Sequence, residues 1–132
     1  MVVQRVLIVD DDQALGSIYF DKLSSSGLDV RYASGGNDAL VHLESWRPEV
    51  ILLDLNMPDM NGYELMGELT KRSISPAPQV IILSSNSDYL SKKRSAILGA
   101  ARYLVKSSIS LPELINIVQG RELEYANDGV SG

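Results

Sequence analysis

Short runs of apolar residues alternate along the chain with longer segments in which apolar residues recur every three or four positions. This alternation is typical of βαβ units built around a parallel sheet. Three of the runs, Val6–Val9, Val50–Leu53 and Val80–Leu83, are continuously apolar, which indicates central strands covered on both faces. Leu28–Ala33 alternates apolar and polar residues, and Tyr103–Val105 follows an arginine, so both are predicted as edge strands.

The segments between and after these runs are predicted to be helices. The last is the clearest, because its apolar residues from Leu111 to Val118 repeat at i, i+3, i+4 and i+7. Ser110 with Glu113 three residues later is the pattern of a capping box at its start. The other helices carry weaker apolar stripes, with Leu15 and Ile18 in the first and Leu90 and Ile97 in the fourth. The sequence therefore predicts an α/β fold in which a five-stranded parallel sheet is flanked by five helices.

The length and composition of the chain fit one globular domain. The chain has 132 residues, of which 45% are hydrophobic and 22% are charged. We expect this domain over residues 1–123, followed by a flexible tail or the stump of a linker over residues 124–132, where no periodicity is visible. The absence of cysteine excludes thiolate zinc sites, iron–sulfur clusters and thiol catalysis.

Charge and hydropathy argue against two classes of partner. Twelve Lys and Arg against seventeen Asp and Glu give a net charge of −5, the wrong sign for gripping nucleic acid phosphates. The longest apolar runs, such as Val80–Leu83, are far shorter than the roughly 20 residues that a transmembrane helix needs. The first residues also lack the long apolar segment of a signal peptide. We expect no nucleic acid partner, no membrane partner and a cytoplasmic location.

Polar residues follow four of the five predicted strands at the point where each strand ends. Asp10–Asp12 follow the first strand, Asp54 the third, Ser84 the fourth and Lys106 the fifth. In an open parallel sheet, ligands bind outside the carboxyl ends of the strands. Because these ends meet at one edge of the sheet, the acidic, hydroxyl and amine groups are predicted to form one site.

The energetics of such a cluster favour a bound cation. Two carboxylates about 4 Å apart repel by about 1 kcal/mol in water and about 4 kcal/mol at an effective dielectric of about 20. Oxygen ligands without His or Cys select a hard cation, and Mg²⁺ suits a site that leaves room for a phosphate. The hydroxyl of Ser84 and the ammonium of Lys106 are donors suited to phosphoryl oxygens. Each residue alone has a plainer interpretation, such as a helix cap for Asp12.

The spacing of these residues resembles the receiver domains of two-component response regulators, including the single-domain chemotaxis regulator. Val6–Asp11 resembles the strand and acidic pair of that family, and Leu52–Pro58 resembles the end of its phosphoacceptor strand. Ser84, Tyr103 and Lys106 match its hydroxyl, switch aromatic and lysine positions. The resemblance covers residues 5 to about 122 and implies a flavodoxin-like, doubly wound sheet with strand order 2-1-3-4-5.

The resemblance implies a phosphoacceptor of a two-component phosphorelay, with at most self-catalysed phosphorylation and dephosphorylation as enzymatic activity. Asp54 would accept the phosphoryl group of a phosphohistidine on a sensor histidine kinase or a histidine phosphotransfer protein. Mg²⁺, for which Mn²⁺ is expected to substitute, would be held by Asp11, Asp54 and the main-chain carbonyl of Asn56, with Asp10 acting through water. Lys106 would pair with a phosphoryl oxygen.

The resemblance also implies a conformational switch. Ser84 would be drawn toward the phosphoryl group, and Tyr103 would turn into the space that it leaves. The surface formed by the fourth helix, the fifth strand and the fifth helix would change as a result. A homodimer formed on phosphorylation is expected to use this face.

Two other functions stay open at this point. A degenerate receiver would act as an unphosphorylated interaction module, and its only support is Ser107, because proline usually follows the family's lysine. A haloacid-dehalogenase-type phosphatase also begins with an Asp-x-Asp pattern after an apolar strand, which would make Asp10 the nucleophile.

A cis bond without proline costs about 2.5–4 kcal/mol, so the Lys106–Ser107 bond is predicted to be trans. The ammonium of Lys106 is expected to point at Asp54.

Overall fold

Five parallel strands form the centre of the computed structural model, which describes residues 5–120. The strands are β1 (Arg5–Val9), β2 (Asp29–Ala33), β3 (Val50–Leu53), β4 (Gln79–Ser84) and β5 (Arg102–Val105). Their order in the sheet is β2-β1-β3-β4-β5, and every neighbouring pair is parallel. This confirms the predicted fold class and strand order. The predicted domain end at residue 123 and the predicted tail over residues 124–132 lie outside the described residues.

Helices follow each strand and cover the sheet. They are α1 (Gln13–Ser25), α2 (Gly36–Leu43), α3 (Gly62–Lys71), α4 (Tyr89–Ile97) and α5 (Leu111–Val118). The side chains of β1 alternate between two apolar clusters: Val6 and Ile8 pack with α1 and α5, whereas Leu7 and Val9 pack with α2 and α3. The continuous apolar runs are therefore explained by burial on both faces of the sheet.

The edge strand β2 and the last helix, α5, match their sequence patterns. In β2 the polar residues Asp29 and Arg31 are exposed, while Val30 is buried, as expected for an edge strand. The capping box of α5 is present, since Ser110 Oγ accepts the N–H of Glu113 at 3.2 Å and Glu113 Oε1 accepts the N–H of Ser110 at 3.0 Å. Within residues 5–120, no helix combines the length and the apolar character needed to cross a bilayer.

The predicted apolar stripe of α4 is wrong, and that of α1 is right only in part. In α1, Leu15 is partly buried against the core, but Ile18 is 46% exposed and the buried residues are Gly16, Tyr19 and Leu23. In α4 the predicted Leu90 and Ile97 are 68% and 75% exposed, and the one buried residue is Ser95. Two apolar positions do not fix the rotational phase of a helix, and small residues such as glycine and serine allow close approach without an apolar signal.

Candidate functional site

The turn after β1 holds three consecutive aspartates in three different environments. Asp10 is buried, and its Oδ1 accepts the N–H of Asp12 at 2.9 Å. Asp12 is exposed, and its Oδ1 accepts the N–H of Leu15 at 3.1 Å, which makes it the N-cap of α1. Asp11, between them, is exposed. Asp12 therefore has the plainer role of a helix cap, which leaves Asp10 and Asp11 for the site.

Asp54 follows β3 directly and is 6% exposed. Its N–H donates to the carbonyl of Val9 at 2.9 Å, which continues the pairing of β3 with β1 and brings the carboxylate beside the acidic turn. Its Oδ1 accepts the N–H of Asn56 at 3.4 Å. One carboxylate oxygen from each of Asp10, Asp11 and Asp54 can be chosen so that all lie within 4.8 Å of one another.

Lys106 brings a positive charge to this group from the end of β5. Its Nζ lies 2.9 Å from Asp10 Oδ2 and 4.0 Å from Asp54 Oδ1. The ammonium therefore reaches the cluster as predicted, although its hydrogen bond is to Asp10 and not to Asp54. The Lys106–Ser107 bond is trans, since the one cis bond within the described residues precedes Pro76. A short 3-10 turn at Lys106–Ser108 leads from β5 toward α5.

The surroundings of the two central ionisable groups shift their pKa values. Burial, reinforced by the charge of Asp10, raises the pKa of Asp54 to about 6, although Lys106 and the N–H of Asn56 act in the opposite direction. Burial alone would lower the pKa of Lys106, but its hydrogen bond to Asp10 and the nearby carboxylates outweigh it and raise that pKa. The folded state thus holds Lys106 charged and makes ionisation of Asp54 more costly.

Ser84 and Tyr103 are linked through the main chain of one residue. Ser84 is fully buried at the end of β4, and its Oγ accepts the N–H of Asn86 at 3.1 Å. The phenol of Tyr103, on β5, donates to the carbonyl of Asn86 at 2.5 Å. The register pairs Ser84 with Val105, the residue before Lys106. The two residues expected to switch therefore meet on the segment that leads into α4.

The donor set suits a hard divalent cation. Asp10, Asp11 and Asp54 supply oxygen, with no His or Cys in the group. Two of the three are buried, and Lys106 is the cation that pairs with them. Oxygen ligands with excess negative charge, one of them exposed at the entrance, fit Mg²⁺ or a similar ion. The residues present therefore fit the predicted metal.

Comparison with known proteins decides the family. The family model described as response regulator receiver domain matches residues 6–119. This chain is a receiver domain. Receiver domains are signalling modules of two-component systems that interact with histidine kinases or phosphotransfer proteins.

The receiver domain has curated relatives of two different lengths. It is 30% identical over 115 residues to protein PilG of Pseudomonas aeruginosa, a match that covers 87% of this chain and 84% of PilG. It is 35% identical over 106 residues to the probable transcriptional regulator ycf27 of Porphyridium aerugineum. That match covers 80% of this chain but only 43% of the ycf27 protein. The chain thus spans less than half the length of this second relative.

Solved receiver structures share the fold closely. The chemotaxis protein CheY4 of Vibrio cholerae is 27% identical, with a TM-score of 0.82 over 89% of this chain and 98% of that chain. The response regulator TrrA of Thermotoga maritima, solved in complex with Mg²⁺–BeF, is 30% identical, with a TM-score of 0.76 over 89% of this chain and 98% of that chain.

Two long-range contacts, one at the receiver site and one at the start of α2, were not predicted by the sequence analysis. The phenol of Tyr32 donates to the main-chain carbonyl of Asp10 at 2.6 Å. The carboxylate of Asp59 accepts the N–H of Asn37 at 3.1 Å and so serves the first turn of α2, whose N-cap Gly35 has no side chain to do this. Both contacts join residues 22 positions apart. An aromatic residue near the end of an edge strand was the only visible hint of the first.

Proposed function

We propose that this receiver domain accepts a phosphoryl group on Asp54 from a phosphohistidine of a sensor histidine kinase or a histidine phosphotransfer protein. The observation that carries the proposal is the position of the buried Asp54 carboxylate, between two further aspartates and 4.0 Å from the Lys106 ammonium. A buried carboxylate with two further carboxylates beside it is not explained by a contribution to stability. It is the arrangement needed by a nucleophile that works with a cation and a phosphoryl group.

In the proposed transfer, an oxygen of Asp54 attacks the phosphorus and forms a new P–O bond. The P–N bond to the donor histidine breaks, and the imidazole nitrogen leaves with the electron pair and takes up a proton. The product on Asp54 is an acyl phosphate. With a pKa of about 6, Asp54 is mostly ionised near pH 7, as a nucleophile must be. Lys106 is close enough to pair with a phosphoryl oxygen once Asp54 carries the group.

The hydrogen bonds of Asp10 bear on how it would take part in metal binding. Both oxygens of Asp10 accept a hydrogen bond, one from the N–H of Asp12 and one from Lys106. These bonds support a role for Asp10 through water, while Asp11, Asp54 and the carbonyl of Asn56 would coordinate the ion directly, as the family resemblance implies. When bound, Mg²⁺ or Mn²⁺ would neutralise charge on the transferring phosphoryl oxygens. The similar protein TrrA was solved in complex with Mg²⁺–BeF, which supports the binding of such an ion to this receiver domain.

The proposed switch uses the link between Ser84, Asn86 and Tyr103. A phosphoryl group on Asp54 would draw the Ser84 hydroxyl and so alter its bond to the N–H of Asn86. The carbonyl of the same Asn86 accepts the hydrogen bond of the Tyr103 phenol. A shift of Asn86 would therefore move Tyr103 as well as the start of α4. The output is a change of the face formed by α4, β5 and α5. We place the domain in the cytoplasm, where the kinase domains that phosphorylate receivers are found.

Mass spectrometry with a small acyl phosphate and Mg²⁺ tests the acceptor. The parent should gain one phosphoryl group, and Asp54→Asn should gain none. Asp12→Asn is the matched control, because asparagine also caps helices well and the change removes one neighbouring negative charge. It should be modified like the parent.

The outcomes of this experiment separate the alternatives. Modification of Asp54→Asn at the parent's rate would disprove the assignment. An unmodified parent that binds no fluoroberyllate would favour the degenerate receiver. Turnover that depends on Asp10 and survives Asp54→Asn would favour the phosphatase.

Light scattering tests the proposed homodimer. If the dimer uses the face of α4, β5 and α5, fluoroberyllate with Mg²⁺ should raise the mass of the parent toward that of a dimer. Ile97→Asp should prevent this, because Ile97 is 75% exposed on α4. A dimer that survives Ile97→Asp contradicts the assigned face, and a monomer with and without fluoroberyllate contradicts the dimer.

A further inference from the structure

Strand β2 holds both main-chain polar groups of Asp10. The N–H of Asp10 donates to the carbonyl of Ala33 at 3.1 Å, and the carbonyl of Asp10 accepts the phenol of Tyr32 at 2.6 Å. The side chain of Asp10 is fixed separately, by the N–H of Asp12 and by Lys106. The start of the acidic turn is therefore held from β2 on one side and from β5 on the other.

The ring of Tyr32 also covers the first part of α1. A Cβ built on Gly16 would lie closer to Tyr32 Cε1 than real Cβ atoms come, and 3.0 Å from Cδ1, which is tighter than most real contacts. Gly16 is buried, so the ring lies directly on the helix backbone. Tyr32 thus contacts the chain on both sides of the turn, at Asp10 before it and at Gly16 after it.

We propose that Tyr32 is a positioning residue for the cation, which clamps the turn of Asp10, Asp11 and Asp12 between β1 and α1. The carboxylates of Asp10 and Asp11 repel each other and Asp54, and a free turn would relax by moving them apart. The phenol and the ring oppose that movement, so that the ligands are in place before the ion arrives. The inference rests on the proposed function, since it concerns the Mg²⁺ that this function requires.

Calorimetric titration with Mg²⁺ tests the clamp. Tyr32→Phe keeps the ring and removes only the hydroxyl, and it should weaken the affinity for Mg²⁺ by about threefold to tenfold. Tyr63→Phe is the matched control, because the half-buried Tyr63 donates its phenol to another main-chain carbonyl, that of Ser91, outside the site. It should leave the affinity unchanged. Melting temperatures measured without metal show whether either variant merely loses stability.

The possible outcomes separate this inference from the proposed function. Equal affinity of the parent and Tyr32→Phe overturns the clamp and leaves the proposed function standing. A parent that gives no binding signal with Mg²⁺ overturns both. A loss of affinity in Tyr63→Phe equal to that in Tyr32→Phe shows a general effect of removing a phenol and also overturns the clamp.

Substitution of Gly16 tests the other contact of the ring. Gly16→Ala should lower the melting temperature and weaken Mg²⁺ binding in the parent, because the new methyl group displaces the ring. With Tyr32→Val in the same chain the obstacle is gone, and Gly16→Ala should then raise the melting temperature, since alanine is the better helix former. If Gly16→Ala lowers the melting temperature equally with Tyr32 and with Tyr32→Val, the glycine is not required for the close packing of the Tyr32 ring.

Discussion

The charges at the amino ends of the strands balance, whereas those at the carboxyl ends do not. At the amino end, Arg5 and Glu49 form a balanced pair: Arg5 Nη2 lies 2.9 Å from Glu49 Oε2, and the N–H of Arg5 donates to Glu49 Oε1 at 2.7 Å. At the carboxyl end, Asp10 and Asp54 are both buried and Asp11 lies beside them, with Lys106 as their paired cation. The same strands thus begin in balanced charge and end in an excess of negative charge.

This difference indicates what each end is for. The pair at the amino end joins the first residue of β1 to the residue before β3, and its two charges balance. The carboxyl end carries repulsion that the fold does not relieve, and removing such charge is often neutral or stabilising for a protein. Packing alone therefore does not account for the three aspartates, whereas the proposed cation and phosphoryl group would. The predictions below test this contrast from the largest expected effect to the smallest.

Asp54→Asn should stabilise the metal-free protein at pH 7, by on the order of 1–3 kcal/mol. The folded protein raises the pKa of Asp54 from 3.8 to about 6, so the ionised form disfavours folding. Between about pH 4 and pH 6, Asp54 binds more protons in the folded state than in the unfolded state, so its contribution to stability falls as the pH rises. Urea unfolding in a chelator at pH 4 and pH 7 measures this. The increase in the free energy of unfolding caused by Asp54→Asn should be near zero at pH 4. An equal increase at pH 4 and pH 7 would contradict the prediction.

Mg²⁺ should stabilise the parent, and Asp11→Asn should abolish most of that response. An ion present at ten times its dissociation constant stabilises the state that binds it by about 1.4 kcal/mol. Asp11 is the exposed aspartate of the group, so its replacement removes a ligand without disturbing the buried pair. Thermal melts with and without Mg²⁺ report the effect. The same melting shift in the parent and the variant would contradict the role given to Asp11.

Glu49→Gln should cost less than about 1 kcal/mol and should leave the response to Mg²⁺ intact. The Arg5 side chain of this pair is 44% exposed, so solvent weakens the attraction that is lost. Urea unfolding at low and high salt is the measurement, and the cost should shrink as salt is added. A change in the Mg²⁺ response would show that the two ends of the sheet are coupled, against the contrast drawn above.

The strands could be predicted well because burial on both faces leaves continuous apolar runs. Val50–Leu53 was predicted to the residue, and β4 differs from its prediction only by Gln79 and Ser84 at its ends. The helix faces could not be predicted where small residues form the contacts. Gly16 and Ser95 are buried without being apolar, so the stripe expected for α4 was wrong and that expected for α1 was right only at Leu15.

The candidate site was predicted as a set of residues but not as a set of contacts. The ends of parallel strands meet at one edge, which was enough to gather Asp10, Asp54 and Lys106. Whether Lys106 bonds to Asp10 or Asp54 depends on side-chain conformations, and no linear pattern carries that information. The contact of Tyr32 with Asp10 was missed for the same reason, since it needs both the pairing of β2 with β1 and one particular direction of the ring.

The sparse packing of helix α4 affects how much free energy a signal must supply to change the conformation of the protein. Its only buried residue is Ser95, and Arg94 lies 4.0 Å from the ring of Tyr63 on α3. A helix with so little buried apolar surface opens locally at a lower free energy than global unfolding, so its amide hydrogens should exchange before those of α5. About 5.5 kcal/mol inverts a two-state population from 1:99 to 99:1. A rearrangement confined to α4 leaves the apolar core of the sheet intact. The free energy needed to invert the population of α4 therefore does not have to overcome the stability of the whole domain.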